Sequence, residues 1–514
     1  MSSASPPSHP PRVGSPPRAG RREWLGLAVI ALPCLLYSMD LTVMNLALPT
    51  ISRALSPTNA QELWIVDSYG FLLAGSLVTM GTLGDRLGRR RVLLIGAAAF
   101  EVASIIAAFS SSATMLIVMR GLLGIAGATL APSTLSLIRN LFLDARQRTF
   151  AVGIWATSFS VGAAIGPFVG GLLLQRFWWG SAFLIGAPVM ILLLLLGPVL
   201  LPEFRAPDAS RVDWPSAALS ALGVLPLIYG LKRAAFSGIG VAPVLSMLVG
   251  AAVIFAFVRR QRSLAEPLLD LRLFAIPAFR LALALNSLSL FVAFSAFLFV
   301  AQYLQLVLGL SPLSAGLWTV PSAVGFIIGS LLAPWLARHF ALSRLLAASL
   351  AFAALGLSIL CSVEPSSRVV VPMVAALILA IGVSPVVTLA TDLIVSSAPA
   401  EVAGAASALS ETSTEFGGAA GIAIFGSIGG AVYRWQLAKP SAPALAPSLA
   451  SAGHQTLAFA ISASERLAPE LGGALRVRAR WAYTEALHVT AALGAGVLFA
   501  LALVALTRLK VTEN

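Results

Sequence analysis

Apolar runs of about 20 residues recur along almost the whole chain, broken only by short stretches of Pro, Gly and charge. Each run is long enough to cross a ~30 Å hydrocarbon layer as an α-helix rising ~1.5 Å per residue. That layer has no water to satisfy backbone N–H and C=O groups, and the runs lack the period-2 alternation of barrel strands, so helices are the only spanning structure open to them. Composition agrees: 58% of the 514 residues are hydrophobic, 11% are charged and mean hydropathy is +0.90. Soluble domains carry roughly 25% charged residues. The expected fold class is an all-α polytopic membrane protein.

Pro, Gly and charge divide the chain into fourteen candidate spans, near 25–48, 62–82, 92–110, 113–138, 149–174, 180–201, 214–234, 241–258, 278–305, 313–336, 345–363, 369–394, 402–432 and 484–506. Lys and Arg then set the orientation, because cytoplasmic loops hold their excess. With the N-terminus inside, 22 of the 34 fall inside and 5 in short outside loops; six more lie in the long segment 433–483, and Arg120 sits within a span. Both termini are expected in the cytoplasm. The net charge of +13 does not point to nucleic acid, since the basic residues are spread through short loops, where lipid headgroups are the better partners.

Residues 1–22 are rich in Pro and Ser and have no apolar core, so they are expected to form a disordered tail and not a cleaved signal. Cys34 and Cys361 lie in or beside apolar runs and make neither a disulfide framework nor a metal site. Segment 433–483 is the one substantial extramembrane piece, and its 451–481 part has the helical spacing of an amphipathic hairpin.

The second and third spans are joined by GTLGDRLGRRRVLLIG, residues 81–96. A turn this short needs glycines for close approach, here Gly81, Gly84 and Gly88. Asp85 stands where the next helix could present its amide N–H groups, while Arg86, Arg89, Arg90 and Arg91 are expected to face anionic headgroups. This segment resembles the signature loop of the major facilitator superfamily. The resemblance implies two six-helix bundles, 23–201 and 259–508, rocking around a central cavity, with the loop as a conformational latch and two extra helices in 202–258. A weaker echo, APWLARHFALSR at 333–344, follows the tenth span, with Arg338 at the place of Arg86.

Arg120 is the only basic residue inside the first six spans, and an unpaired arginine in hydrocarbon is expensive. Counted at ~1.5 Å per residue from the outer ends, Arg120 lies ~10 Å deep, Asp67 ~8 Å and Asp40 ~12 Å. A buried network of Arg120 with Asp40, touching Asp67, is therefore expected. In the thirteenth span Glu411 and Glu415 are four residues apart, on one helical face. Two close carboxyls in a low dielectric do not both ionise cheaply, so at least one should hold a proton until a cation arrives. Glu101 and Asp392 are secondary proton candidates. Trp64, Phe71, Trp155, Phe159, Trp318 and Phe416 offer cation–π faces.

The fifth span, GIWATSFSVGAAIGPFVGGLL, carries a small-residue face of Gly162, Gly166, Gly170 and Gly171 with a helix-bending Pro167. This string resembles the antiporter motif of the superfamily's exporters. Together with YSMDLTVMNLALP, WIVDSYGF and the thirteenth span, it makes the chain similar to the fourteen-span drug:proton antiporters that export quaternary ammonium and other lipophilic cations. By that resemblance Asp40, Arg120 and Asp67 would handle the proton, and Asp67, Glu411 and Glu415 the substrate cation or proton. No acid stands on the tenth span, where some relatives have one.

The expected activity is thus secondary transport, with substrate, protons and membrane lipids as partners, acting as a monomer and driven by the proton gradient without cofactor or metal. No Gly-x-x-x-x-Gly-Lys-Ser/Thr loop for ATP is present. A rival reading is a self-protection exporter for an endogenous neutral or weakly charged secondary metabolite; the Arg-rich, Lys-poor, Ala-rich composition suggests a GC-rich bacterial genome. The glycines around Pro167 disfavour an uptake symporter. His9, His339, His454 and His488 are too scattered for a metal site or triad, which disfavours a membrane enzyme.

Overall fold

The computed structural model describes residues 18–57, 59–205, 213–237, 240–264, 267, 269, 271–399, 402–439, 457–465 and 467–508. It is built of helices: α1 Arg21–Leu55, α2 Asn59–Leu87, α3 Arg89–Ala108, α4 Ala113–Gly127, α5 Leu130–Leu141, α6 Ala145–Arg176, α7 Ser181–Leu184 and α8 Ala187–Leu200 in the first half. Two central helices follow, α9 Trp214–Ser237 and α10 Val241–Ser263. The second half holds α11 Pro277–Gln302, α12 Pro312–His339, α13 Leu342–Leu360, α14 Val370–Ser397, α15 Ala403–Ala438, α16 Leu457–Glu465 and α17 Pro469–Arg508. Among the described residues, thirteen segments are long and apolar enough to cross a membrane. The segment expected as the fifth span lies in α6, a continuous 32-residue helix outside those thirteen.

Local chemistry explains where the helices begin and break. Ser112, Asp144 and Ser311 each accept a hydrogen bond from the backbone N–H three residues on, at 3.2, 2.9 and 3.2 Å, and so cap α4, α6 and α12. The fourth span is expected as one helix and is two, α4 and α5, within a single apolar segment Ala113–Leu141. Pro132 has no N–H for the carbonyl of Ala128, so the ladder is interrupted there. Gly88 separates α2 from α3 at φ 110°, a conformation that side chains with a Cβ rarely adopt.

Two large buried cores organise the chain. One runs from Leu27 to Leu201 through α1–α8, and the other from Leu285 to Ala505 through α11–α17. Large apolar side chains also point outward, among them Phe168 at 74% exposure, as helices dissolved in lipid allow. Between the halves α9 packs on both α2 and α15: Ile228 is buried with Phe71 and Ala74, and Ala419 lies against the same cluster.

Both ends of segment 433–483, expected as a loop or hairpin, are helical. α15 continues to Ala438, and α17 starts at Pro469 and runs unbroken into the last span. Within the expected 451–481 helical part, residues 457–465 form α16, which packs on α17, and residues 469–481 open α17 itself. Residues 440–456 lie outside those described, as do residues 1–17 of the tail and the end 509–514.

Candidate functional site

The Arg120–Asp40 pair forms. Arg120 Nη1 donates to Asp40 Oδ2 at 2.6 Å, with the arginine side chain 0% exposed. Arg120 Nε donates to the carbonyl of Ile65 at 3.1 Å, and the guanidinium carbon lies 4.6 Å from the centre of the Tyr69 ring. The two charges come from α4 and α1, and α2 supplies the carbonyl and the ring. Arg120 Nη2 and the Tyr69 hydroxyl are buried without a hydrogen-bond partner among the described residues. Asp67 belongs to α2, two residues beyond Ile65, but its side chain lies outside the described residues.

Glycines of α6 hold this part of α1 in place. A Cβ at Gly162 would strike the carbonyl of Leu35, and one at Gly170 would come within 2.9 Å of Val43 Cγ1. Leu35 and Val43 bracket Asp40, so the small-residue face lets α6 lie against α1 where the carboxylate sits. Gly166 is buried too. Gly171 departs from expectation: a Cβ there meets open space, because it lies off the stripe that faces α1. The side chain of Pro167 lies outside the described residues.

Glu411 and Glu415 lie half-buried on α15. Glu415 Oε1 accepts a hydrogen bond from the Tyr37 hydroxyl at 2.8 Å, which joins α15 of the second half to α1 of the first. Tyr37 meets the Phe159 ring edge-on, with centroids 5.6 Å apart, and Phe159 meets Trp155 at 4.9 Å. Phe159 therefore packs on the tyrosine that bonds Glu415, and Trp155 packs on Phe159. Trp64 stacks on Tyr229 of α9 and meets Phe71, so these two rings serve the α2–α9 contact. Trp318 packs on the second core, and Phe416 is 38% exposed. From α11, Asn286 donates to Thr414 Oγ1 at 3.1 Å, and its own carbonyl oxygen has no partner among the described residues.

At the end of the molecule that carries the α2–α3 turn, Asp85 is buried and accepts from the backbone N–H groups of Gly404 and Ala405, each at 3.0 Å. These amides open α15, so the helix that Asp85 caps belongs to the other half of the chain and is not α3, the next helix. Gly81 permits the approach, since a Cβ there would come within 2.6 Å of both Gly404 O and Ala408 Cβ. Buried Gly84 sits beneath, next to Ser133.

The arginines of this loop correct the headgroup expectation. Arg89 is fully buried, donates to Asp85 Oδ1 at 2.9 Å and lies 4.7 Å from the Phe204 ring. Arg86 is buried as well. Arg90 is half-buried and donates to the carbonyls of Pro198 and Leu201 at 3.0 and 3.1 Å. Arg91 has 69% of its side chain exposed and pairs with Glu203 Oε2 at 3.8 Å. A guanidinium has five donors, and the C-terminal carbonyls of a neighbouring helix and a buried carboxylate satisfy them without lipid.

Three further contacts join the halves at this end. Arg148 Nε and Thr149 Oγ1 of α6 donate to Asp392 on α14 at 3.1 and 2.7 Å, Arg139 of α5 donates to the carbonyls of Val395 and Ala398 at 2.7 and 2.6 Å, and the Ser136 and Ser407 hydroxyls are 3.3 Å apart. Asp392, a secondary proton candidate, is thus an ion-pair partner across the halves. Glu101 is buried on α3 and its carboxyl oxygens have no partner among the described residues. The sequence alone does not single out Tyr37, Tyr69, Arg139 or Arg148. A tyrosine within an apolar run signals a hydroxyl in need of a partner, but the run does not say which.

Among the described residues, no group of three or more His, Cys, Asp or Glu is gathered to hold a metal. Residues 30–422 match the family model described as Major Facilitator Superfamily. The chain is 42% identical to the multidrug efflux pump LfrA of Mycolicibacterium smegmatis, over 95% of this chain and 96% of that one. It is 33% identical to the methyl viologen resistance protein SmvA of Salmonella typhimurium, over 90% and 93%. Among solved structures, the human organic anion transporter MFSD10 superposes with a TM-score of 0.60 at 14% identity, covering 93% of this chain and 99% of that one.

Proposed function

Because the chain belongs to the Major Facilitator Superfamily and its relatives are efflux and resistance proteins, we propose that it is a proton-coupled antiporter exporting lipophilic, cationic drugs or antiseptics. It acts as a monomer in the bacterial cytoplasmic membrane, with both termini in the cytoplasm, the side that the Lys and Arg distribution favours.

The observation that carries this reading is the placement of two acidic centres on opposite halves. The buried Arg120–Asp40 pair lies in the first, and the Glu411–Glu415 face, met by Tyr37 with Phe159 packed on its ring, in the second. A carboxyl face beside aromatic rings suits a lipophilic cation, whose charge is met by acid and π-face while its apolar body is desolvated. SmvA is named for resistance to methyl viologen, itself an organic cation, which fits this chemistry.

Asp40 exchanges its partner Arg120 for a proton, with Asp67 as an accessory acid. In the described state the halves are clasped at the α2–α3 end by Asp85 and α15. The cation site then faces outward, where protonation releases the cation. Deprotonation on the inner side restores the site once Gly81, Asp85 and Gly404 part. The bundles 23–201 and 259–508 are the rocking bodies, and the segment around α9 and α10 rides between them.

The test is ethidium efflux from energised cells expressing the full chain, with Asp67→Asn, Glu411→Gln and Glu415→Gln each compared with wild type. Each variant is expected to lose efflux. Normal efflux in all three would overturn the cation site, and efflux that survives collapse of the proton gradient would overturn the coupling.

A further inference from the structure

We propose that the Tyr37 hydroxyl is a built-in competitor for the cation at Glu415, and that its displacement reports substrate arrival to the Arg120–Asp40 pair. This rests on the cation-exporter reading and adds the residue that joins its two centres. A phenolic O–H inside a membrane needs an acceptor, and Tyr37 finds one not on its own bundle but on α15, at Glu415 Oε1, 2.8 Å away. The hydroxyl thus occupies the carboxyl oxygen that a cation would take. A neutral donor holds that place only until a charged partner competes for it.

The same side chain touches the proton centre. Tyr37 stands three residues before Asp40 on α1, one helical turn away on the same face. Its ring lies 6.1 Å from that of Tyr69, and Tyr69 is the ring under the Arg120 guanidinium at 4.6 Å. Contacts therefore run without a gap from Glu415 through Tyr37 and Tyr69 to Arg120 and Asp40. Phe159 blocks the other side of the Tyr37 ring edge-on, so a ring released from Glu415 moves against Tyr69. The Tyr69 hydroxyl, buried and without a partner among the described residues, leaves that ring untied at its far end and able to respond. Tyr37 is a positioning residue: it acts through Glu415 and Tyr69.

The experiment uses the purified full chain as wild type, Tyr37→Phe, Glu415→Gln and the double variant, with tetraphenylphosphonium as the cation. Tyr37→Phe is expected to bind the cation about tenfold more tightly than wild type, as removal of one hydrogen bond to a charged group implies. It should gain nothing when Glu415 is already Gln. In proteoliposomes Tyr37→Phe should move at least twofold fewer protons per cation than wild type. Unchanged affinity in Tyr37→Phe, or tightening that persists with Glu415→Gln, overturns the proposal. A thermal-melting cycle on the same four proteins without cation reads the Tyr37–Glu415 bond itself. Non-additive shifts are expected, and additive shifts would refute the bond. Wild type that neither binds nor carries the cation would instead overturn the exporter reading.

Discussion

Substitution of Asp85 by Asn tests the clasp between the halves. Asp85 accepts two backbone N–H bonds from the first turn of α15, at 3.0 Å each, and pairs with Arg89 at 2.8 Å. The pair with Arg89 lies within one half, so it persists when the halves separate and largely cancels from the difference between conformations. The two amide bonds do not cancel, because they exist only while α15 is docked. Hydrogen bonds to a charged acceptor are worth about 1.5–3 kcal/mol each. Asn keeps one acceptor oxygen but loses the charge and the second bond, so the clasped state should lose about 2–3 kcal/mol, or about 30- to 150-fold in population.

The Ser136 and Ser407 hydroxyls, 3.3 Å apart across the same seam, supply the assay. In a background of Cys34→Ser and Cys361→Ser, the pair Ser136→Cys and Ser407→Cys should form a disulfide quickly on mild oxidation. Adding Asp85→Asn should slow cross-linking at least tenfold. A cross-linking rate unmoved by Asp85→Asn would mean that the carboxylate does not hold the halves together, and the reasoning from its two amide bonds would fall.

Other expectations come from the same contacts. Arg120→Lys keeps the charge but cannot pair with Asp40, bond the Ile65 carbonyl and cover Tyr69 together; a loss of about 1–3 kcal/mol is expected, read as a lower melting temperature in detergent. Gly81→Ala places a methyl within 2.6 Å of Gly404 O and Ala408 Cβ, so it should weaken the clasped state by about 1–3 kcal/mol and slow the same cross-link, while Gly171→Ala, facing open space, should leave it unchanged. Beyond the membrane spans, hydrogen bonds from Arg260 hold Asp213 below its ordinary carboxylate value. A lowered folded pKa contributes stability above the ordinary carboxylate range that is lost as pH falls through the lowered value. Melting of wild type should therefore decline as pH falls below about 4, by a small amount because solvent screens the pair, and Asp213→Asn should flatten that limb.

Much of the site was legible in the chain because hydrocarbon leaves few choices. One arginine in six apolar spans required an acid at its own depth, and Asp40 supplied it. The glycines of the fifth span announced a close helix contact, though not that its partner was the turn around Asp40. Depth and periodicity place Glu411 and Glu415 on one face, but the tyrosine that reaches Glu415 comes from 378 residues earlier, and no spacing rule spans that distance. The sequence marks Asp85 as serving a helix end, yet the end it serves opens at Ala403 and not at Arg89.

By itself the sequence determined the solvent in which the chain folds, the positions of nearly all the spans and the short inventory of charges those spans admit. These follow from local quantities: apolar length, backbone hydrogen bonding and the expense of a bare charge in lipid. Tertiary structure alone decided which half each charge would serve. Arg89 turned inward to Asp85, Asp392 paired across the seam with Arg148, and Glu415 took the Tyr37 hydroxyl, because partner choice depends on how helices rotate and dock once both bundles have formed.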